Sequence, residues 1–184
     1  MDFNAKFLDF LIAIIAVMSF TKAAPLVKKV VEHPSTYRRV KMAHKFGIVA
    51  ISPNKKVYLT RNMNDENTDL VLYAYGPQTH RIEGAKSGLS IAMNSRGKVY
   101  ATKNISTETL FKHDVMPNRR HVFESTLYKG FNLGFNKQLL PKKGKTTRIW
   151  KSDRWYFQVF SPNSFRTIKV NSVFYNYFKS SMQG

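Results

Sequence analysis

Hydrophobic positions in this chain fall in short runs that recur. Val57-Tyr58-Leu59-Thr60-Arg61-Asn62 returns as Val99-Tyr100-Ala101-Thr102-Lys103-Asn104, offset by 42 residues. Upstream, Val49 and Ile51 correspond to Ile91 and Met93 at that offset, and Leu133 and Phe135 stand a further 42 residues on. Turn-forming residues follow each apolar pair: Pro53-Asn54, Asn94-Ser95-Arg96-Gly97 and Asn136-Lys137. Ile91-Ala92-Met93 and Lys98-Val99-Tyr100 therefore read as two short strands around a turn, and each unit reads as a hairpin. After residue 30 no stretch keeps apolar residues at i, i+3, i+4 and i+7 for three turns, so little helix is expected.

Three strand-rich units of about 42 residues in one domain leave few architectures. An open solenoid needs capping units that the sequence does not show. A three-bladed propeller falls below the usual four to eight blades. Closing three four-stranded units around a pseudo-threefold axis gives an all-β fold, a β-trefoil, with about twelve strands and no long exposed edge. That is the expected fold.

Length and composition agree with one packed domain: 184 residues, 43% hydrophobic and 14% aromatic. There is no cysteine, which excludes a disulfide scaffold, a zinc–thiolate centre and a thiol nucleophile. Residues 1–23 have the form of a signal peptide. Lys6 lies in the n-region, Phe10 to Phe20 is an uncharged apolar run, and Thr21 and Ala23 are the small residues before a cleavage site at Ala24. That run is shorter than the roughly 20 apolar residues a bilayer span needs, so secretion is expected and membrane insertion is not. The remainder divides into an N-terminal arm (24–37), the trefoil domain (38–162) and a basic aromatic C-terminal tail (163–184) that reads either as an added strand or as a mobile tail.

The second unit carries a specific resemblance. Gly88-Leu89-Ser90-Ile91-Ala92-Met93-Asn94-Ser95-Arg96-Gly97-Lys98-Val99-Tyr100, followed by Glu108-Thr109-Leu110-Phe111, resembles the central signature of fibroblast growth factors, roughly G-x-Y-L-A-M-N-x-x-G-x-L-Y-G and then E-C-x-F. Lys129 to Lys137 is similar to the family's G-W-Y-V-A-L-N-K, and Pro141-Lys142-Lys143-Gly144 to its P-K-R-G. The resemblance covers about residues 38–162 and independently implies a β-trefoil. Thr109 stands where the family usually has cysteine. The family's receptor-contacting glutamate aligns with His113, or with Asp114 after a one-residue slip. Its receptor-contacting tyrosine–asparagine pair falls near Arg120 and His121, with Phe123 beside them. Phe160 is the matching candidate near the end of the trefoil. This drift, with the compact leader-plus-trefoil layout, resembles the viral members carried by insect baculoviruses.

Charge adds a second surface. The chain has 30 Lys and Arg against 11 Asp and Glu, a formal net charge of +19. Lys137, Lys142, Lys143, Lys145, Arg148, Lys151 and Arg154 crowd one stretch, opposed only by Asp153. Such a field draws polyanions, and salt screens it. The resemblance implies that the polyanion is heparan sulfate. Nucleic acid is the competing polyanion, but no nucleic-acid module is recognisable and a secreted protein seldom meets one. Asn104-Ile105-Ser106 is a glycosylation sequon. The five histidines lack H-E-x-x-H spacing and no G-x-S-x-G nucleophile is present, so neither an enzyme nor a metal site nor a cofactor is expected. The expectation is a secreted ligand that binds heparan sulfate and activates a fibroblast growth factor receptor tyrosine kinase. The alternative is a glycan-binding trefoil without receptor activity.

Overall fold

A computed structural model describes residues 33–116, 119–144 and 157–162. The expected signal peptide, most of the arm, the tail beyond residue 162, and Lys145, Arg148, Lys151 and Arg154 lie outside the described residues.

Among the described residues, ten antiparallel strands carry the fold. They are β1 (Thr36–His44), β2 (Gly47–Ile51), β3 (Val57–Thr60), β4 (Leu70–Ala74), β5 (Thr79–Gly84), β6 (Ser90–Met93), β7 (Val99–Thr102), β8 (Phe111–Met116), β9 (Arg120–Ser125) and β10 (Gln158–Phe160). Single 3₁₀ turns at Glu66–Thr68 and Thr107–Thr109 are the helical elements among these. β1 starts at Thr36, two residues before the boundary expected between arm and domain. Alternation explains the outer strands: in β3 and β7, valine and leucine or alanine point inward while tyrosine and threonine stay half-buried. β2 and β6 are buried throughout.

Register makes the repetition physical. Ile48 pairs with Thr60 and Ile51 with Val57; 42 residues later Ser90 pairs with Thr102 and Met93 with Val99. A bridge from Phe135 to Pro141 falls at the same offset once more. The intervening hairpins keep their own spacing of 41, with Leu70 opposite Gly84 and Phe111 opposite Ser125. The ladder runs β3-β2-β1-β4-β5-β6-β7; β8 joins β5 and β9, and β10 joins β1.

One core collects apolar side chains from every unit. Met42, Ile51, Leu59, Leu70, Ile82, Met93, Phe111, Phe123, Phe135 and Phe157 are all buried in it. Each such side chain contributes on the order of 1.5–3 kcal/mol relative to exposure. Phe157 ties the layers together, meeting Phe123 at 5.9 Å and Phe135 edge-on at 6.0 Å.

The chain after Pro141 seats against the second hairpin. The Gly144 N–H donates to the Gly97 carbonyl at 2.9 Å. Gly97 has φ +72°, and a Cβ there would lie 2.3 Å from the Gly144 oxygen. Both the left-handed backbone and the close approach demand glycine at position 97.

Candidate functional site

β8 and β9 form a hairpin in which Phe111, His113 and Val115 stand opposite Ser125, Phe123 and His121; the first two pairs turn inward, whereas Val115 is exposed. His113 lies flat on the Phe123 ring, with centroids 4.5 Å apart and planes 11° from parallel. Its Nε2 is 2.7 Å from Nδ1 of His121, and His80 of β5 stands edge-on at 4.9 Å. Burial holds the His113 pKa down at about 4, reinforced by His80, His121 and Arg38, with Asp114 pulling the other way. His121 is lowered by burial and then by Arg38. His80 is lowered by burial and by Arg38, against a pull from the Gln78 backbone.

The structure therefore brings His113, His121 and Phe123 into contact and separates the other receptor candidates from them. Asp114 faces the opposite way and pairs with Lys112 at 2.9 Å. Arg120 is exposed near the tip, and Val115, 63% exposed, is the large apolar side chain that this hairpin shows to solvent. Phe123 corrects the expectation: it is wholly buried. Strand parity turns it toward the core, so it supports the hairpin from beneath and offers no contact surface. Phe160 is half-buried, opposite Lys41, and packs with Met63 on Ala43 and Ile48. His80 and Arg38 were missed from the sequence. The signal for His80 was available, since it precedes His121 by the 41-residue spacing of the β4–β5 and β8–β9 hairpins.

The basic surface is described in part. Lys137 and Lys143 are exposed, and Lys142 is half-buried with its N–H donating to the Gly134 carbonyl at 2.9 Å. Gly144 brings this stretch onto the β6–β7 turn, where Arg96 and Lys98 are exposed. These two cations were not among the expected glycan residues, because they are distant in sequence and adjacent only through the Gly97–Gly144 contact. Asn104 is exposed just beyond β7, and its N–H donates to Thr102 Oγ1 at 3.0 Å.

Residues 38–157, more than half of the chain, match the family model described as "Fibroblast growth factor". The chain belongs to the fibroblast growth factor family. It is similar to Fibroblast growth factor 4 of Gallus gallus, with 40% identity over 63 residues, covering 34% of this chain and 32% of that one. It is similar to Fibroblast growth factor 8 of Danio rerio at 30% over 103 residues, 54% of this chain and 49% of the relative. Fibroblast growth factor 8 of Mus musculus gives 26% over 126 residues, 67% and 45%. The chain thus spans about a third to a half of the length of these curated relatives. The β-trefoil is the fold of this fibroblast growth factor, and the family is one of signalling ligands, not enzymes.

Two positions of the family signature have structural work here. Glu108 accepts hydrogen bonds from Tyr100 and, at 2.9 Å, from Tyr128. Burial and then that carboxylate raise both phenol pKa values. Thr109, in the usual cysteine position, is fully buried, and its hydroxyl donates to the Ser106 carbonyl at 2.7 Å. A buried hydroxyl needs a partner, and the 3₁₀ turn supplies it. Among the described residues no helix is long and apolar enough to cross a membrane, and no histidine–carboxylate group suits a metal ion.

Proposed function

We propose that this chain is a secreted growth-factor ligand that binds heparan sulfate and activates a fibroblast growth factor receptor tyrosine kinase. Family membership over residues 38–157 is the observation that carries this reading. The glycan surface comprises Lys137, Lys142 and Lys143, extended by Arg96 and Lys98 across the Gly97–Gly144 contact and continued by Lys145, Arg148, Lys151 and Arg154. The receptor surface comprises solvent-facing parts of the β8–β9 hairpin: Arg120, Asp114, Val115 and the exposed parts of the half-buried His113 and His121. Glycan and receptor held together raise each other's effective concentration and favour receptor pairing. Residues 1–23 direct secretion, and Asn104 takes an N-linked glycan.

The test is receptor phosphorylation on responsive cells given the purified secreted protein, with and without heparin. Heparin-dependent phosphorylation supports the ligand reading; retention on heparin without phosphorylation by any receptor isoform overturns it. One observation favours the second reading, a glycan-binding trefoil without receptor activity. Phe123, which the resemblance puts beside the receptor-contacting pair, is withdrawn into the core.

A further inference from the structure

Three imidazoles meet where β5, β8 and β9 converge, and the backbone fixes all three. His80 is paired with Phe111 across β5 and β8, and His113 with Phe123 across the hairpin. His121 exchanges both backbone hydrogen bonds with Phe157, at 2.8 and 2.9 Å. The ladder holds the three backbones together, and opening it separates the rings. His113 is enclosed by the Phe123 face, the His80 edge and the His121 ring, stacked at 5.0 Å.

We propose that His80, His113 and His121 form a proton-sensitive latch that holds the β8–β9 hairpin closed at neutral pH and loosens it in acid. Between neutral rings, the N–H of one imidazole points at the lone pair of the other across the 2.7 Å gap between His113 Nε2 and His121 Nδ1. One added proton leaves that bond intact; a second sets N–H against N–H. The first proton already enters a half-buried site. Arg38 of β1 repels a charge on any of the three, His80 of β5 and His121 of β9 repel one on His113, and Asp114 of β8 alone favours it. Asp114 is itself paired with Lys112.

The direction of the pH effect follows. The closed hairpin holds His113 near 4, whereas an opened one titrates near the ordinary 6.5, so the open form takes up protons first as pH falls. Closure is fully favoured above about 6.5 and is progressively lost toward 4. For His113 alone the open-to-closed ratio rises roughly tenfold between about pH 7.5 and 5.5. A ligand taken up with its receptor meets that range in acidifying vesicles; this consequence, though not the latch, rests on the receptor reading above.

Amide hydrogen exchange of the full chain at pH 7.5 and 5.5, corrected for intrinsic exchange rates, tests the latch without a receptor. The expected result is roughly tenfold loss of protection in β8 and β9 while β2–β3 and β6–β7 keep theirs. The His113→Gln/His121→Gln double variant should lose this difference. If that variant does not fold, His80→Gln, which removes one opposing imidazole, should reduce it. Unchanged protection in β8–β9, an equal loss in every strand, or a His113 resonance titrating at 6 or above in the folded chain would each overturn the proposal. Absence of receptor phosphorylation at neutral pH would count against the receptor reading only.

Discussion

A buried aromatic that touches His113 on one side and Phe157 on the other contributes packing energy whether or not a receptor is bound. Phe123→Ala should cost about 3–5 kcal/mol in urea unfolding, the usual range for emptying such a site. Phe123→Leu should cost less and leave the receptor affinity of the folded fraction unchanged. A tenfold affinity loss in a folded Phe123→Leu variant would return this residue to the interface. The sequence alone left Phe123 ambiguous because its side depends on strand parity, which the β8–β9 register decides. Arg81 poses the complementary case. It is almost fully buried, stacked over Tyr73 at 4.1 Å, and bonded to Glu83, to Ser90 at 2.6 Å and to Tyr75 at 3.2 Å. Glu83→Gln should destabilise the fold by roughly 1–3 kcal/mol, by weakening a charged partner that a buried guanidinium needs. Equal unfolding midpoints for wild type and variant would count against that account.

Hairpins were the legible elements. The 42-residue spacing of Val49 and Ile51 with Ile91 and Met93 corresponds to strands with matching register, because each turn sits where Asn, Pro or Gly interrupts the apolar alternation. The histidine cluster was legible only in part: the 41-residue spacing relates His80 to His121 but does not show their contact with His113. His80, His113 and His121 come from three strands, and only the β5–β8 and β8–β9 pairings bring them together. The junction of the β6–β7 turn with Gly144 was hidden in the same way, and it has a mechanical consequence. Gly97→Ala must leave the left-handed region and push against the Gly144 backbone, so it should destabilise by more than the roughly 1 kcal/mol of an ordinary glycine replacement. It should also shift the following lysines and lower the salt at which the protein leaves heparin. Arg96→Ala/Lys98→Ala should lower that salt without changing the unfolding midpoint. Separate behaviour of these two variants distinguishes a loop position from a pair of charges.

At the scale of the molecule, a net charge of +19 means that any polyanion is attracted, and retention on heparin alone identifies no site. A local site and a diffuse field differ in how they respond to the same charge change made in different places. Lys142→Glu/Lys143→Glu and Lys55→Glu/Lys56→Glu each remove four units of positive charge. The first pair lies beside the Gly97–Gly144 junction, the second on the exposed β2–β3 turn, which corresponds, 42 residues earlier, to the β6–β7 turn of that junction. If the site is local, the first variant should elute at markedly lower salt and the second should move little. By analogy with counterion release from charged polymers, the slope of log affinity against log salt should fall by about one for each contacting cation removed. Equal shifts in the two variants would mean that the field of the whole molecule, not the 137–154 surface, holds the glycan. The register itself makes this control available: the β2–β3 turn matches the β6–β7 turn, and the two differ in that the β6–β7 turn lies against Gly144.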